Sequence, residues 1–449
     1  MTEADRYYRK MTETPVSRLI VALGIPTTVS MLITNIYNLA DTYFVGGLGE
    51  SQQAATGVLF TLQAIIQALS FMLGHGSGTY VSKALADRDV KEASAYVSSA
   101  FFVGAGAGAL LGILGLIFIE PLARLLGSTE TILPYAIDYG MWVLIACPFM
   151  VCSLVLNNNL RYEGKAFYAM IGLTTGGLLN ILGDYILIAV LGMGVYGAGL
   201  STAVSQIVSF TILLVLYIRE AQSRISIRAV SHQAYIYKNV LKNGFPSLIR
   251  QGLSSISNGL LNNLTKPFGD AAIAAMSVVN RFSAFVMCVG LGIGQGFQPV
   301  AAFNYRAEKY QRVKKGLVFT TFFGLAFVGA LSLCGFIFAP DIVHFFQESP
   351  AVVEIGTFAL RMACVGVMFL PLSVPVNMLY QSIRYSGVAS FLSLMRSGLT
   401  FIPTLLVGVA FFDLAGIQCA QPIADVLTGL ISIPFMLHFL HKDHTKERT

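Results

Sequence analysis

The chain has 449 residues, of which 55% are hydrophobic and only 12% are charged, and its formal net charge is +6. A soluble protein of this size needs roughly 25% charged residues to cover its surface, so the composition excludes an ordinary soluble protein and indicates one that spans a membrane. We expect the positive charge to lie in loops that face anionic membrane lipids, so it requires no nucleic acid partner.

Apolar runs of membrane-crossing length follow one another along the whole chain. A helix needs about 20 apolar residues to cross roughly 30 Å of hydrocarbon, and twelve runs meet this length. The six in the first half cover about 19–45, 54–82, 94–119, 133–158, 166–191 and 195–218. The six in the second half cover about 240–265, 271–303, 316–339, 352–380, 388–412 and 416–440. The predicted fold class is an all-α integral membrane protein with twelve transmembrane helices.

The second half of the chain repeats motifs of the first half. Three motifs recur roughly 220 residues later: Gly24-Ile25-Pro26 as Gly244-Phe245-Pro246, Gly74-x-Gly76 as Gly294-x-Gly296, and Arg161-Tyr162-x-Gly164 as Arg384-Tyr385-x-Gly387. Because each half has six spans, both enter the membrane the same way round, as parallel repeats do. We therefore predict two pseudo-twofold-related six-helix bundles. They are an N-lobe at 1–219 and a C-lobe at 240–449, joined by a cytoplasmic inter-lobe linker at 220–239.

Basic residues in the loops predict the orientation, because Lys and Arg are retained on the cytoplasmic side. With both termini placed inside, the outer loops hold only Arg124 and Lys266, and most other Lys and Arg fall in inner loops and tails. The sequence therefore predicts a multi-pass protein with two cytoplasmic ends.

Acidic residues inside the first six spans are the main candidates for chemistry. An intramembrane carboxylate costs several kcal/mol unless it is protonated, paired or bound to a cation. Three pairs at helical i,i+4 spacing each share one helix face: Tyr37 and Asp41, Asn180 and Asp184, and Thr202 and Gln206.

These side chains allow three interpretations. Two carboxylates, a carboxamide oxygen and a hydroxyl make a hard-oxygen cage for a small cation such as sodium. Two close carboxylates in a low dielectric can also share a proton. The third interpretation is that the polar groups only hydrogen-bond each other and lock the bundle. Gly176, Gly177 and Gly183 are expected to let a neighbouring helix approach the Asp184 span closely.

The second half lacks the acids. The motif echoes pair Asp41 with Leu261, Asn180 with Pro403, Asp184 with Val407 and Thr202 with Gln421. This asymmetry favours one ion site in the N-lobe. Asp425 is the exception, and it is either a second protonatable group or the ion-pair partner of Arg250, Arg281 or Arg396.

The chain resembles the multidrug and toxic compound extrusion (MATE) family over nearly its whole length. The motifs that carry this resemblance are Asp41-Thr42-x-Phe44-Val45-Gly46, Asn180-x-x-x-Asp184 followed by Gly197-Ala198-x-x-x-Thr202, and Gly294-Gln295-Gly296-Phe297-Gln298-Pro299 with Asn304-Tyr305. The resemblance implies two lobes that form a V in a bacterial or archaeal cytoplasmic membrane. It also implies an ion site at Asp41, Asn180, Asp184 and Thr202, and a substrate cavity with Tyr37, Tyr139 and Asn157. Gln206 joins the cavity set because it shares a face with Thr202.

Another bacterial branch of that family carries its coupling acids in the seventh and tenth spans. The corresponding stretches here, 247–255 and 370–375, contain no carboxylate. Coupling through the C-lobe is therefore not expected unless Asp425 takes part.

The sequence and the resemblance together predict a secondary active multidrug antiporter. It would export lipophilic organic cations in exchange for inward protons or sodium, without any other cofactor, and act as a monomer. A flippase for a lipid-linked saccharide is the alternative, which predicts a basic cavity and gains some support from Arg250. A passive channel fits two inequivalent halves less well. An intramembrane enzyme is disfavoured because no nucleophile, base or metal set converges at one depth.

Overall fold

The computed structural model of the protein describes residues 3–442, and within this range it consists of helices and contains no strand. The prediction that both chain ends are cytoplasmic concerns residues 1–2 and 443–449, which lie outside the described range.

Sixteen α-helices follow one another in the described residues. In chain order they are α1 Glu3–Glu13, α2 Val16–Gly46, α3 Glu50–Ala86, α4 Val90–Ile117, α5 Ile119–Leu125, α6 Leu133–Tyr162, α7 Ala166–Asp184, α8 Gly194–Glu220, α9 Ala234–Thr265, α10 Asp270–Arg306, α11 Tyr310–Ile337, α12 Ala339–Phe346, α13 Pro350–Val367, α14 Leu370–Ser382, α15 Ser386–Leu394 and α16 Phe401–His441. Short 3-10 turns cover Ile227–Ala229 and Lys266–Phe268, and π-helical turns cover Tyr185–Val190 and Met395–Leu399.

Ten helical segments of the described chain are long and apolar enough to cross a membrane. One of them, Ser386–His441, has 56 residues, more than twice the length that one crossing needs. Its backbone leaves the helical conformation at Asp413 (φ 50°, ψ −127°), so it is two crossings joined by a sharp turn. The more polar α9 has 32 residues and is the repeat counterpart of α2, which adds a twelfth crossing. The predicted all-α fold with twelve transmembrane helices is confirmed.

Backbone torsion angles show that the repeat keeps an offset of 220 residues. Left-handed residues recur at this spacing, as Arg88 (φ 62°) with Glu308 (φ 60°) and as Gly164 (φ 70°) with Arg384 (φ 68°). The predicted echo of Arg161 in Arg384 is therefore wrong. Gly164 is the counterpart of Arg384, because both end the same helix turn in the left-handed conformation that glycine tolerates best.

A side-chain contact repeats at the same offset. Asn157 donates its Nδ2 proton to the carbonyl oxygen of Ala169 (2.9 Å), and Asn377 donates to the carbonyl oxygen of Ala389 (2.7 Å). Each bond ties consecutive helices of one repeat together, so this contact belongs to the shared frame of both halves.

The described chain divides into two compact units whose boundaries fall inside helices. Unit 1 comprises residues 3–8 and 29–251, and unit 2 comprises residues 9–28 and 252–442. The divisions lie within α1, within α2 and within α9. The linker at 220–239 and the first half of α9 therefore pack as part of unit 1. The predicted lobe boundaries follow the sequence repeat. The compact units have different boundaries, because residues 9–28 belong to unit 2 and residues 220–251 belong to unit 1.

Serine side chains of α4 hold the linker against unit 1. The backbone N–H groups of Arg224, Ser226 and Ser231 donate to hydroxyl oxygens at 2.9, 3.1 and 3.0 Å, and these belong to Ser94, Ser98 and Ser99, respectively. The linker backbone is therefore held against α4, because three of its N–H groups donate hydrogen bonds to serine side chains of that helix.

A buried carboxylate fastens the start of the linker. Glu163, in the connection between α6 and α7, is fully buried and accepts hydrogen bonds from the Tyr217 hydroxyl (3.0 Å), the Gln222 N–H (2.6 Å) and the Ser223 hydroxyl. Burial raises the pKa of Glu163 above its ordinary value of 4.5, and the three donors oppose this rise only in part.

The raised pKa makes stability depend on pH. The folded protein holds the Glu163 proton more tightly than the unfolded chain does. The stabilisation is therefore complete below pH 4.5 and is lost as pH rises through the folded pKa. In thermal melts of detergent-solubilised protein, the melting temperature of Glu163→Gln should fall less steeply with rising pH than that of wild type. Glu50→Gln, at an exposed position, is the matched control, and equal slopes for wild type and Glu163→Gln would contradict the assignment.

Two glycines of α9 make contrasting predictions about packing. A Cβ atom at Gly244 would lie 1.9 Å from the Met72 carbonyl oxygen, whereas a Cβ atom at Gly252 would meet nothing within 4 Å. Gly244→Ala should lower the melting temperature, since overpacking costs about 1–3 kcal/mol. Gly252→Ala should leave it unchanged or raise it, because alanine favours helix by roughly 0.5–1 kcal/mol. Equal melting temperatures for the two variants would show that α3 and α9 are not in this contact.

Candidate functional site

Four helices of unit 1 bring five polar side chains together. The side chains come from α2, α6, α7 and α8, and each is at most 4% exposed: Asp41, Tyr139, Asn180, Asp184 and Thr202. The structure therefore gathers all four residues of the predicted ion site, which lie up to 161 positions apart in sequence, and adds Tyr139 from the predicted cavity. We call these five residues the acidic cluster.

A directed chain of hydrogen bonds leads to Asp41. The Tyr139 hydroxyl donates to Asp41 Oδ2 (2.9 Å) and lies 3.2 Å from the Thr202 hydroxyl, while Asn180 Nδ2 donates to Thr202 Oγ1 (3.2 Å). Because Tyr139 gives its proton to Asp41, the Thr202 hydroxyl has to donate to Tyr139 and accept from Asn180. All three donors thus point toward Asp41, and such chains polarise one another.

Glycines let the neighbouring helices approach α7. A Cβ atom would lie 2.7 Å from Ser209 Cβ at Gly176, 2.8 Å from Ile33 Cγ2 at Gly177 and 2.5 Å from Ser201 Oγ at Gly183. The close approach expected at these three positions is confirmed, and α2 and α8 both reach α7 there. This spacing sets the distance between Asp41 and Asp184, because any larger residue would push the helices apart.

The acidic cluster contains more acceptors than donors. Four buried oxygen atoms have no hydrogen-bond partner among the described residues, namely Asp41 Oδ1, Asn180 Oδ1 and both carboxylate oxygens of Asp184. Buried polar atoms are normally satisfied, and a proton or a cation would satisfy acceptors of this cluster. This excess weighs against the interpretation that the side chains only hydrogen-bond each other.

The donor set suits a hard monovalent cation as well as a proton. Among the described residues there is no group of three or more His, Cys, Asp or Glu that could hold a metal ion. The acidic cluster itself offers a cation two carboxylates and the neutral oxygens of Asn180, Thr202 and Tyr139. Carboxylate, amide and hydroxyl oxygens are ligands that hard cations prefer. Asp41 and Asp184 interact electrostatically, so their negative charges repel each other unless a proton or a cation binds between them.

The remaining predicted cavity residues lie around the cluster or apart from it. Tyr37 packs against Gly177 one turn before Asp41, and Gln206 lies beside the Tyr37 hydroxyl. Both are partly exposed. Asn157 is not brought to the cluster, because its amide holds the Ala169 carbonyl in the contact that recurs in the second repeat.

Ser201 is a cluster neighbour that the sequence did not single out. Its hydroxyl donates to the Asn180 carbonyl oxygen (2.9 Å) and lies 3.5 Å from Asn180 Nδ2. The only signal for it was its place next to Thr202, and a serine between small residues is common in helix packing seams.

The second repeat has no equivalent cluster. With the offset of 220 that the backbone keeps, Asn180 corresponds to Thr400 and Asp184 to Thr404, so the predicted pairings with Pro403 and Val407 are wrong by three residues. The shift comes from the false echo of Arg161 in Arg384. The corrected pairing still places no carboxylate there, and the asymmetry between the halves stands.

Asp425 in unit 2 forms an ion pair. Arg396 Nε donates to Asp425 Oδ1 (2.8 Å), and Gln421 Nε2 donates to the same oxygen (2.9 Å). Of the three arginines considered from sequence, Arg396 is therefore the partner. Arg250 belongs to unit 1, where it donates to the Ser247 hydroxyl (3.4 Å).

Comparisons with known proteins agree on the family. A family model described as MatE matches residues 26–186 and 246–407, one match in each repeat. The chain is 24% identical over 436 residues to the multidrug export protein MepA of Staphylococcus saprophyticus and 24% identical over 437 residues to MepA of Staphylococcus aureus, with 96% of each chain covered in both cases.

Solved structures show the same fold. One is an outward-facing multidrug resistance MATE family transporter of the MOP superfamily, with a TM-score of 0.91, 24% identity and 98% of each chain covered. Another is a MOP superfamily transporter from Pyrococcus furiosus, whose described binding pocket has reverse polarity. It has a TM-score of 0.90 and 24% identity, with 99% of this chain and 100% of that one covered.

Two aspartates make opposite predictions about stability. Asp184→Asn removes a buried carboxylate whose two oxygens lack donors, whereas Asp425→Asn breaks a buried ion pair. In sodium-free detergent solution at about pH 8, Asp184→Asn should raise the melting temperature by about 2–4 °C, and Asp425→Asn should lower it by a similar amount. Thermal melts of both purified variants test this. A fall for Asp184→Asn as large as that for Asp425→Asn would show that Asp184 is structurally satisfied.

Proposed function

Because this chain belongs to the MatE family, we propose that it is a secondary active multidrug efflux antiporter, which exports lipophilic organic cations in exchange for inward-moving protons or sodium ions. The chain is a multi-pass membrane transporter and not an enzyme. Drug export is supported by the relatives named multidrug export protein MepA. A bacterial cytoplasmic membrane is the location that these relatives favour.

The observation that carries the proposal is the excess of acceptors in the acidic cluster. Four oxygens without donors, buried inside the bilayer, create a strong local demand for positive charge. A proton on one carboxylate, or a sodium ion between Asp41, Asn180 and Asp184, meets this demand. A buried lipophilic cation meets it as well, so ion and drug compete for one negative charge.

Competition of this kind produces exchange. A proton or sodium ion that binds at Asp41 and Asp184 cancels one negative charge there, which weakens the attraction that holds a cationic substrate in unit 1. The substrate then leaves, and the site can be reset only when the ion departs on the other side. A carrier that binds ion and drug alternately couples the two fluxes without any energy-converting domain.

The hydrogen-bond chain supports Asp41 as the first ion acceptor. Tyr139 donates to Asp41 Oδ2 and leaves Oδ1 for the ion, while Thr202 and Asn180 follow behind it. Asp41 lies on α2, a helix in which a division between the two units falls. A change of charge at Asp41 therefore acts on a helix whose residues belong to both units.

A cluster of basic side chains in unit 1 gives some support to the flippase alternative. His75 is bonded to Ser247 through Nδ1 (2.8 Å) and to Arg161 through Nε2 (3.2 Å), and Arg250 donates to the same Ser247 hydroxyl. Buried arginines are what recognition of a lipid-linked pyrophosphate would use. The acidic cluster favours cation transport over this alternative, because four of its buried oxygen atoms have no hydrogen-bond partner among the described residues.

Transport of a fluorescent lipophilic cation by purified protein in proteoliposomes tests the function directly. Sodium and proton gradients are imposed separately. Wild type should take up the dye under one gradient, and Asp41→Asn should reduce that uptake by roughly tenfold or more, since it removes about one unit of the charge that attracts both ion and dye. Asp270→Asn, at an exposed position at the start of α10, is the matched control and should behave as wild type.

Three outcomes of this assay distinguish antiport through the acidic cluster from antiport without it and from the flippase alternative. Uptake driven by one gradient names the coupling ion. Full activity of Asp41→Asn under both gradients would mean that coupling does not use the acidic cluster. If wild type moves no dye, translocation of a fluorescent lipid-linked saccharide becomes the next assay, because the flippase alternative then explains the basic cluster better.

A further inference from the structure

The N-terminal helix α1 carries residues of both compact units. Residues 3–8 belong to unit 1, and residues 9–13 belong to unit 2. Most side chains of α1 are polar or charged, but Tyr7 and Met11, four positions apart on one helix face, are buried. The helix α1 is therefore a surface helix that packs on the protein by one face, and a division between the units falls inside it.

Partly exposed side chains hold the unit 1 half of α1. Arg88 Nη1 lies 3.1 Å from Asp5 Oδ1, and these two side chains are 56% and 31% exposed, respectively. The Arg88 guanidinium also lies over the Tyr8 ring, 5.1 Å from its centroid. The Tyr7 hydroxyl donates a long hydrogen bond to the Tyr162 carbonyl oxygen (3.4 Å). Ion pairs that water reaches contribute little to stability, so contacts of this kind break easily.

Side chains of unit 2 hold the other half of α1 by its backbone. Asn304 Nδ2 and Arg312 Nη2 both donate to the Met11 carbonyl oxygen, at 3.1 and 3.2 Å. Arg312 Nη2 also donates to the Thr14 carbonyl oxygen (2.5 Å), and Arg312 Nε donates to Asn304 Oδ1 (3.0 Å). Met11 and Asn304 are fully buried. The last carbonyl groups of a helix lack partners within it, so these donors satisfy the C-terminal end of α1.

The segment of the second repeat that corresponds to α1 lies in one unit. At the offset of 220, residues 3–13 correspond to residues 223–233 of the linker, and α11, which carries Arg312, corresponds to α4. The whole linker belongs to unit 1, where serine side chains of α4 hold it. Of these two corresponding segments, only α1 has residues in both units, so the frame of the repeat does not require that arrangement.

We propose that α1 is a releasable clamp on the predicted cytoplasmic side of the protein. Its unit 1 half leaves Arg88 and Tyr162 when this side opens, while its unit 2 half stays on Asn304 and Arg312. Carriers alternate by moving one bundle against another, and a short helix bound to both has to leave one of them. The unit 1 contacts break first because they are partly exposed, whereas those with unit 2 are hydrogen bonds to buried backbone. This role goes beyond the proposed export of cations, since it concerns the transport cycle and not the substrate.

Reducible cross-links at the two halves of α1 test the clamp. The six native cysteines are first replaced. Asp5→Cys/Arg88→Cys then allows a cross-link on the unit 1 side, and Thr14→Cys/Arg312→Cys allows one on the unit 2 side. Each pair is joined by a short bifunctional methanethiosulfonate, and uptake of the cationic dye into proteoliposomes is measured before and after reduction. The unit 1 cross-link should abolish uptake until it is reduced, whereas the unit 2 cross-link should leave the uptake rate unchanged.

Spin labels on the same cysteine pairs give a readout that needs no substrate. Distances between the labels are measured by electron paramagnetic resonance in proteoliposomes, at low and high pH and with and without sodium. The unit 1 pair should show a short and a long distance in proportions that change with these conditions, and the unit 2 pair should keep one short distance. Arg9→Gln is the matched control, because it removes an ion pair within α1, to Glu13 (3.9 Å). It should leave both distances and dye uptake unchanged.

The results separate the clamp from the proposed function. Full uptake with the unit 1 cross-link in place, or one short distance for the unit 1 pair under every condition, would show that α1 stays on unit 1 throughout. Equal loss of uptake with both cross-links would show that α1 does not stay on unit 2, which also overturns the clamp. If wild type moves no dye, cation export is wrong, and the spin-label distances alone then decide whether α1 is released.

Discussion

The absence of water inside a bilayer is the constraint on which this structure depends. Every backbone N–H and C=O group at membrane depth needs an internal partner, and helices supply it within each segment. Polar side chains need hydrogen-bond partners for the same reason, and Asn157 has one in the Ala169 carbonyl oxygen. The oxygens of Asp184 have no such partner within the described chain. The function proposed for the protein rests on this unmet demand for positive charge at membrane depth.

The repeat supplies one frame, and the two halves use it for different chemistry. Left-handed residues and the asparagine contacts recur at the same offset, so the helices of both halves are built alike. The first half places two buried carboxylates in one cluster, Asp41 and Asp184, whereas the second half places Arg396 against Asp425.

The connection between the compact units is helical. The linker is held on α4 by three serine hydroxyls, and Glu163 fastens its first residues. Two of the divisions between units lie inside α2 and α9, and both helices carry a proline in their first half, Pro26 and Pro246. Proline removes a backbone hydrogen bond and lets a helix bend.

Hydropathy, motif spacing and intramembrane acids are visible along the chain, so they were enough to predict the fold class and the doubling of the chain. They also singled out the four residues that the structure brings together in the acidic cluster and that we propose as the ion site. The tertiary structure alone decided which groups meet. It placed Tyr139 on Asp41, Ser201 on Asn180 and Arg396 on Asp425. It also corrected the register of the repeat at Arg384. The short motif paired Arg384 with Arg161, whereas the backbone torsion angles pair it with Gly164. Contacts between residues far apart in the chain depend on helix packing, which no local pattern records.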